Sequence, residues 1–308
     1  MSLSIRILGT SAARPTVERN VSALAIHREG ETMLFDCGEG TQRQMMRYRV
    51  SFAIDDIFFT HFHDDHILGL VGLLRTMGLE GRTNGIRLWG PRGASRALKR
   101  LESISGERLP FPVEINELAS GEPIKRKGFA IVPFDVQHRT TSIGYALVEE
   151  ERRGRFNPDL ARELGIPEGP MWGRIHKGEP ITLDDGRVIE PSTLVGPTRS
   201  GRKVVLTGDT RPCEQTVSMA TDADLLIHES TFLHEDAARA VETGHSTARE
   251  AAQVALAARA QKLVLTHFSA RYSRDTTDLE REAKMVFAET VAARDGMEIE
   301  VPFRDGDI

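Results

Sequence analysis

Short apolar runs, each ending on a Gly, Asp or His, recur along the N-terminal half of the chain. Ser4–Leu8 leads to Gly9-Thr10, Thr32–Phe35 to Asp36-Cys37-Gly38, and Ile54–Thr60 to His61. Ile86–Trp89 and Phe129–Val136 precede Gly90 and Gln137-His138. Three similar runs follow: Lys203–Thr207 before Gly208-Asp209, Leu225–Ile227 before His228-Glu229, and Lys262–Thr266 before His267. Such short runs, punctuated by polar residues, predict strands with buried faces. Helical patterns lie between them. Ile67, Leu70, Val71 and Leu74 fall at i, i+3, i+4 and i+7 and form one apolar face. Thr247-Ala248-Arg249-Glu250 reads as a capping box opening a helix over Ala248–Ala260, lined by Ala251, Val254, Ala255 and Ala258. Thr277-Asp278-Leu279-Glu280 opens another, expected to run to about Ala293 before Asp295-Gly296. Strands with interspersed helices, given twice, predict a layered α/β sandwich.

One stretch breaks the pattern. Residues 150–202 hold Pro158, Pro167, Pro170, Pro180, Pro191 and Pro197 and little apolar periodicity. A segment this long outside the core elements reads as an inserted, flexible arm with a job of its own. Between Glu151 and Lys203, ten basic residues stand against eight acidic ones, a slight excess opposite in sign to the whole chain.

Composition narrows the class but not the substrate. With 308 residues, 40% apolar and 28% charged, the chain is an ordinary globular protein. No apolar run approaches the ~20 residues that cross a bilayer, and no basic region followed by an apolar one opens the sequence. No membrane partner is expected. Cys37 and Cys213 are the only cysteines and form no C-x-x-C pair, which argues against a thiolate zinc site and for a reducing, cytoplasmic compartment. A net charge of −5 gives no support to a nucleic-acid substrate, although a local basic patch can exist beneath it.

Candidate chemistry concentrates in His61-Phe62-His63-Asp64-Asp65-His66. Zinc takes imidazole nitrogen and carboxylate oxygen, and catalytic sites keep a position open for water. His61 and His63 alternate at the end of a strand and point the same way. Asp65 and His66 follow on the turn into the next helix. Ligand pairs this close suit two metals at the ~3.5–4 Å spacing of two-metal hydrolases. His138, Asp209 and His267 each stand where open α/β sheets place site residues, just beyond a strand. Two metals need more ligands than the first cluster supplies, so these complete the candidate set. His27, His176 and His234 lack such placement. His228-Glu229-Ser230-Thr231 and Gly244-His245-Ser246-Thr247 form a further tier. His245, partnered by a buried carboxylate such as Glu229, suits a general acid beside a helix N-terminus. Ordinary capping by Ser246 or Thr247 accounts for the same residues equally well.

The HxHxDH run, a later His, a Gly-Asp and a last His resemble the metallo-β-lactamase superfamily. The wider set is similar to the ribonuclease Z family of tRNA 3′-end endonucleases. It comprises Leu8-Gly9-Thr10-Ser11-Ala12, Glu18-Arg19-Asn20, Phe35-Asp36-Cys37-Gly38-Glu39-Gly40-Thr41-Gln42, Thr207-Gly208-Asp209-Thr210, HEST, GHST and Thr266-His267-Phe268-Ser269-Ala270-Arg271-Tyr272. The first motif alone marks only the superfamily, whereas the combination is specific. The resemblance implies an αββα sandwich spanning residues 1–308 as one domain, with 150–202 as an arm that contacts tRNA, the Gly165–Pro170 region included. It implies two Zn2+ per subunit, with Mn2+ an alternative. His61, His63 and His138 would hold one; Asp65, His66 and His267 the other; Asp209 would bridge. Asp65 would also orient the bridging hydroxide, and His245 with Glu229 would assist the leaving 3′ oxygen. Precursor tRNA, not DNA, is the implied partner, cut to 3′-hydroxyl and 5′-phosphate ends by a homodimer in which one arm clamps tRNA for the other subunit. Ser230 stands where many members have Ala, and Gln137 precedes His138; neither removes a ligand. A zinc phosphodiesterase for smaller diesters and a non-catalytic RNA-binding relative are the competing readings.

Overall fold

The computed structural model describes residues 2–104 and 108–304. Two compact units divide the chain: one runs to Val148 and resumes over Arg202–Pro302, the other comprises Glu149–Gly201 and the chain end from Phe303.

In the first unit the described residues form two seven-stranded sheets. One runs, edge to edge, Glu298–Glu300, Leu3–Gly9, Ala23–Arg28, Glu31–Phe35, Asp56–Phe58, Ile86–Gly90 and Val113–Glu117. The other runs Thr290–Ala292, Leu263–Thr266, Leu225–Glu229, Lys203–Leu206, Ile143–Glu149, Phe129–Asp135 and Ile124–Arg126. Each sheet is mixed. Glu31–Phe35 through Val113–Glu117 pair in parallel, as do Lys203–Leu206 through Thr290–Ala292. Parallel strands are covered on both faces, so they read as near-continuous apolar runs.

The covering layers follow from the packing. Ile5, Ile26, Phe35, Phe58, Tyr145, Leu147, Leu206 and Ile227 fill the space between the sheets. Helices Thr41–Arg47, Leu70–Leu79 and Ala94–Ser103 bury Met45, Leu73, Leu74, Met77 and Leu98 on the outside of the first sheet. Helices Glu214–Ala220, Ala248–Ala257 and Thr277–Lys284 bury Ala220, Ala251, Val254, Ala255 and Leu279 on the second. The result is an αββα sandwich, as expected. Its aromatic centre bears directly on the site: Phe35 and Phe58 stack at 4.9 Å, and the Tyr145 hydroxyl donates to the Phe59 carbonyl at 2.6 Å. That bond ties the second sheet to the strand end that delivers His61.

The helix opened at Thr277 stops at Lys284, well short of Ala293. Val286 and Phe287 turn into the core, and Thr290–Ala292 pairs as an edge strand beside Leu263–Leu265. Tertiary pairing overrides the helical pattern there. Thr277 is the first helical residue rather than the cap; its N–H donates to Asp275 at 2.8 Å. The capping box at Thr247 and Glu250 is present as read, although its helix ends at Ala257. No helix among the described residues is long and apolar enough to cross a membrane.

The second unit has a small core of its own. Helices Pro158–Glu163, Pro170–His176 and Pro191–Leu194 surround a two-stranded ladder of Ile181–Thr182 and Val188–Ile189. Ala161, Ile166, Ile175, Ile181, Ile189 and Leu194 are buried together, with Phe156 and Trp172 packed against them. Pro158, Pro170 and Pro191 each start a helix, where the missing N–H costs nothing.

Candidate metal centre

Strand ends from both sheets of the first unit meet at one edge of the sandwich. The first sheet supplies His61 and His63, just past Asp56–Phe58, and a short helix over Asp64–Ile67 presents Asp65 and His66. The second sheet supplies His138, Asp209, Glu229 and His267, each at or just past a strand. Backbone conformation is specialised there: His267 holds φ 57°, and Gly208 holds φ 62° immediately before Asp209. A Cβ on Gly208 would lie 2.7 Å from Thr60 Cβ, so only glycine lets Asp209 come this close to His61.

The potential ligand atoms form three groups: two flank Asp209, and a third joins Asp209 and His267 to Glu229 and His245. His61 Nε2 lies 3.0 Å from His63 Nδ1, and His138 Nε2 lies 3.4 Å from the same atom. Asp209 Oδ2 completes this group, 3.6 Å from His61 Nε2. In the second group Asp65 Oδ2 stands 3.6 Å from His66 Nε2 and 3.3 Å from His267 Nε2. Asp209 faces this group too, through its other oxygen: Oδ1 is 3.4 Å from His66 Nε2 and 3.2 Å from His267 Nε2. One carboxylate therefore serves two clusters.

Four of the five rings are oriented from behind through Nδ1, whereas His63 turns its Nδ1 to the centre. The Thr60 hydroxyl donates to Asp36 at 2.9 Å and accepts from His61 Nδ1 at 3.0 Å. Thr231 repeats the arrangement, donating to Glu229 at 2.8 Å and accepting from His267 Nδ1 at 3.0 Å. His66 Nδ1 donates to Asp36 at 2.8 Å, and His138 Nδ1 to the Gly244 carbonyl at 2.8 Å. With Nδ1 carrying the proton, Nε2 presents its lone pair to the centre.

Imidazole nitrogens and carboxylate oxygens are the donor set zinc takes. His66 Nε2 and Asp209 Oδ1 are buried, and neither has a well-directed hydrogen bond among the described residues. Both are atoms that a cation would satisfy, so the residues fit a metal.

The electrostatics agree. Burial opposes the charge on Asp209, yet His267, His66 and His61 hold it ionised well below the usual carboxylate range. Burial also disfavours a charge on His66, but Asp209, Asp36 and Asp65 hold its pKa well above the ordinary value. A cation at Nε2 would compete with the proton these carboxylates favour. His61, fully buried, is pushed well below its usual value by burial and by His66.

Beside the clusters, His245 Nδ1 donates to Glu229 Oε1 at 2.8 Å, leaving Nε2 free. Glu229 is buried and also accepts from the backbone N–H groups of Thr210, Thr231 and Ser246. Desolvation lowers the His245 pKa, but Glu229 outweighs it and lifts the group to about 9. Thr247 caps the helix that follows, as the capping reading expected.

All the candidate residues named from the sequence thus converge. His27 bonds Thr32, and His176 bonds the Gly154 carbonyl; neither they nor His234 joins a metal-competent group. The sequence reading missed the supporting residues Asp36, Thr60 and Thr231. Asp36 and Thr231 lie inside motifs quoted for the resemblance, which was the available signal. Asp36→Asn keeps an acceptor for His66 but removes its charge. Metal affinity should fall about 10- to 100-fold while the circular dichroism spectrum is retained, as measured by chelator competition.

The profile of the beta-lactamase superfamily domain matches residues 31–198 and 175–268. Fold and site together define a metallo-β-lactamase-fold protein with a His/Asp cluster capable of binding metal. The chain is 67% identical to a ribonuclease Z of Gemmatimonas aurantiaca over 98% of this chain and 96% of that one. It is 52% identical to that of Myxococcus xanthus over 98% and 99%. The crystal structure of human tRNase Z, short form, superposes with a TM-score of 0.69 at 30% identity, over 97% of this chain and 100% of that chain. The chain belongs to the ribonuclease Z family.

Proposed function

We propose that this protein is a metal-dependent endoribonuclease that removes 3′ trailers from precursor tRNA, leaving a 3′-hydroxyl and a 5′-phosphate. The carrying observation is Asp209, whose two oxygens face two separate ligand groups beside the His245–Glu229 pair. We assign His61, His63 and His138 to one cation, Asp65, His66 and His267 to a second, and Asp209 to both. Zn2+ suits the donors, and Mn2+ is the alternative that metal availability would decide. Two bound cations supply Lewis acidity to water and neutralise charge developing on phosphorus.

The chain's own groups do the rest. Asp65 is fixed by the Ala13 N–H at 2.7 Å and accepts the proton of the attacking water. Water oxygen bonds to phosphorus, the bond to the 3′ oxygen breaks, and His245 Nε2–H delivers its proton to that oxygen. Glu229 holds the ring and stabilises its charge before transfer. The second compact unit is assigned to tRNA binding, in a cytoplasmic homodimer where one subunit's arm serves the other's site.

The test is cleavage of a 3′-extended tRNA by metal-defined protein with the product ends mapped. A 3′-hydroxyl on the tRNA supports the proposal, whereas a 3′-phosphate sinks it. Deleting residues 158–195 should raise KM for tRNA by about 100-fold, roughly 2.7 kcal/mol of binding, and spare a small phosphodiester. Unchanged tRNA kinetics would refute the arm's role, and equal loss on both substrates would refute its selectivity.

A further inference from the structure

We propose that Arg211, acting with Glu250, is the positioning residue that sets the His245 imidazole against the scissile linkage. This rests on the assignment of His245 as proton donor. The Gly244–Thr247 segment carries that ring between two helices, Ala237–Thr243 and Ala248–Ala257. The N–H groups of Gly244 and His245 close the first helix, donating to the Val241 and Ala240 carbonyls at 3.3 and 2.8 Å, so the carbonyl side of the His245 peptide is what other groups must fix.

Beside these backbone bonds, four side chains from elsewhere bond the segment's backbone, one at each residue. The Gly244 carbonyl accepts from His138 Nδ1 at 2.8 Å. The His245 carbonyl accepts from Arg211 Nη1 at 2.5 Å. The Ser246 N–H donates to Glu229 at 3.0 Å, and the Thr247 N–H to Glu250 at 2.9 Å. Three of these partners belong to the candidate site or to the helix cap. Arg211 is the fourth, and the motifs leave it without a role.

Its placement makes it a clamp. The guanidinium is held by both oxygens of Glu250, with Nη1 to Oε2 at 2.8 Å and Nη2 to Oε1. The two side chains are only 17% and 15% exposed, so the pair is shielded from solvent and salt. Arg211 follows Asp209 by two residues, and its N–H donates to the Gln137 carbonyl at 2.7 Å, next to His138. One residue therefore joins the Asp209 loop, the His138 loop and the His245 segment. A planar fork is needed to satisfy a carboxylate and a carbonyl together, which the point charge of lysine cannot do.

The experiment uses a 3′-extended tRNA carrying either oxygen or sulfur at the 3′ bridging position of the cut. A 3′ thiolate leaves without protonation, so it relieves the need for a placed acid. Arg211→Met should lower kcat on the oxygen substrate by about 100-fold, the cost of an ångström-scale misplacement. KM and bound metal should not change. On the sulfur substrate the variant should stay within about threefold of wild type, since proton donation no longer limits it. Arg211→Lys should recover only part of the loss, and adding Arg211→Met to His245→Ala should cost nothing further. Glu250→Gln, which keeps the cap acceptor, should lose rate in the same direction and supplies the readout if Arg211→Met does not fold. Equal loss on both substrates, loss of metal, an additive double variant or wild-type kcat would each overturn the proposal. If His245→Ala itself cut the oxygen substrate at the wild-type rate, the acid assignment would fall first.

Discussion

Asp209→Ala should lose both metal occupancies at once and lower kcat by at least about 10⁴-fold, because activation of water that otherwise ionises near 15.7 is lost. Removing any one histidine deprives one group of one donor. Removing Asp209 deprives both, since Oδ2 faces the His61 group and Oδ1 faces His66 and His267. It also strips the buried histidines of the carboxylate that neutralises them, so the metal-free variant should be less stable than the metal-free wild type. Elemental analysis of the purified protein, alongside single-turnover cleavage, checks the claim. Retention of one full equivalent of metal would show that Asp209 belongs to one group only.

His245→Ala should keep its metal yet lose about 10³-fold in kcat, the middle of the range for a placed general acid. The ring makes its closest bond to Glu229 rather than to the ligand groups, lying 2.8 Å from that carboxylate and 3.8 Å from Asp209. The pH profile carries the sign. Burial alone would lower the His245 pKa, but Glu229 lifts it to about 9, so the proton-bearing form persists at neutral pH and is lost as pH rises through that value. Cations held by the neighbouring ligands would pull the alkaline limb below 9. Glu229→Gln removes the lifting charge, so the limb should move further toward acid with a lower maximum. A limb that moved toward higher pH, or one unaffected by the substitution, would remove Glu229 from this role.

Local spacing made part of the centre legible. His61, His63, Asp65 and His66 sit within six residues after an apolar run, and no long-range contact is needed to see them as ligands. His138, Asp209 and His267 were legible because strand ends are where sheets of this kind present side chains. Asp36 was legible only as part of the motif that carries the resemblance, since by spacing alone an aspartate after a strand is ordinary until its bonds to Thr60 and His66 are seen. Arg211 and Glu250 are 39 residues apart, and no pattern relates them. The fold failed to show through where packing overruled propensity, as in the strand Thr290–Ala292. It failed also where the core was small and aperiodic, as in Glu149–Gly201.

Drawing the ligands from the ends of two sheets has a consequence for how the molecule is made. His61 and His267 belong to different sheets and opposite parts of the chain, so the centre does not exist until the sandwich has closed. A partly folded chain offers only the local HxHxDH cluster and binds a cation weakly. An ion that recognises only the closed state stabilises it by mass action, by about 4 kcal/mol at a thousandfold excess over its dissociation constant. Metal supply would then influence how many molecules remain assembled as well as how fast each one turns over.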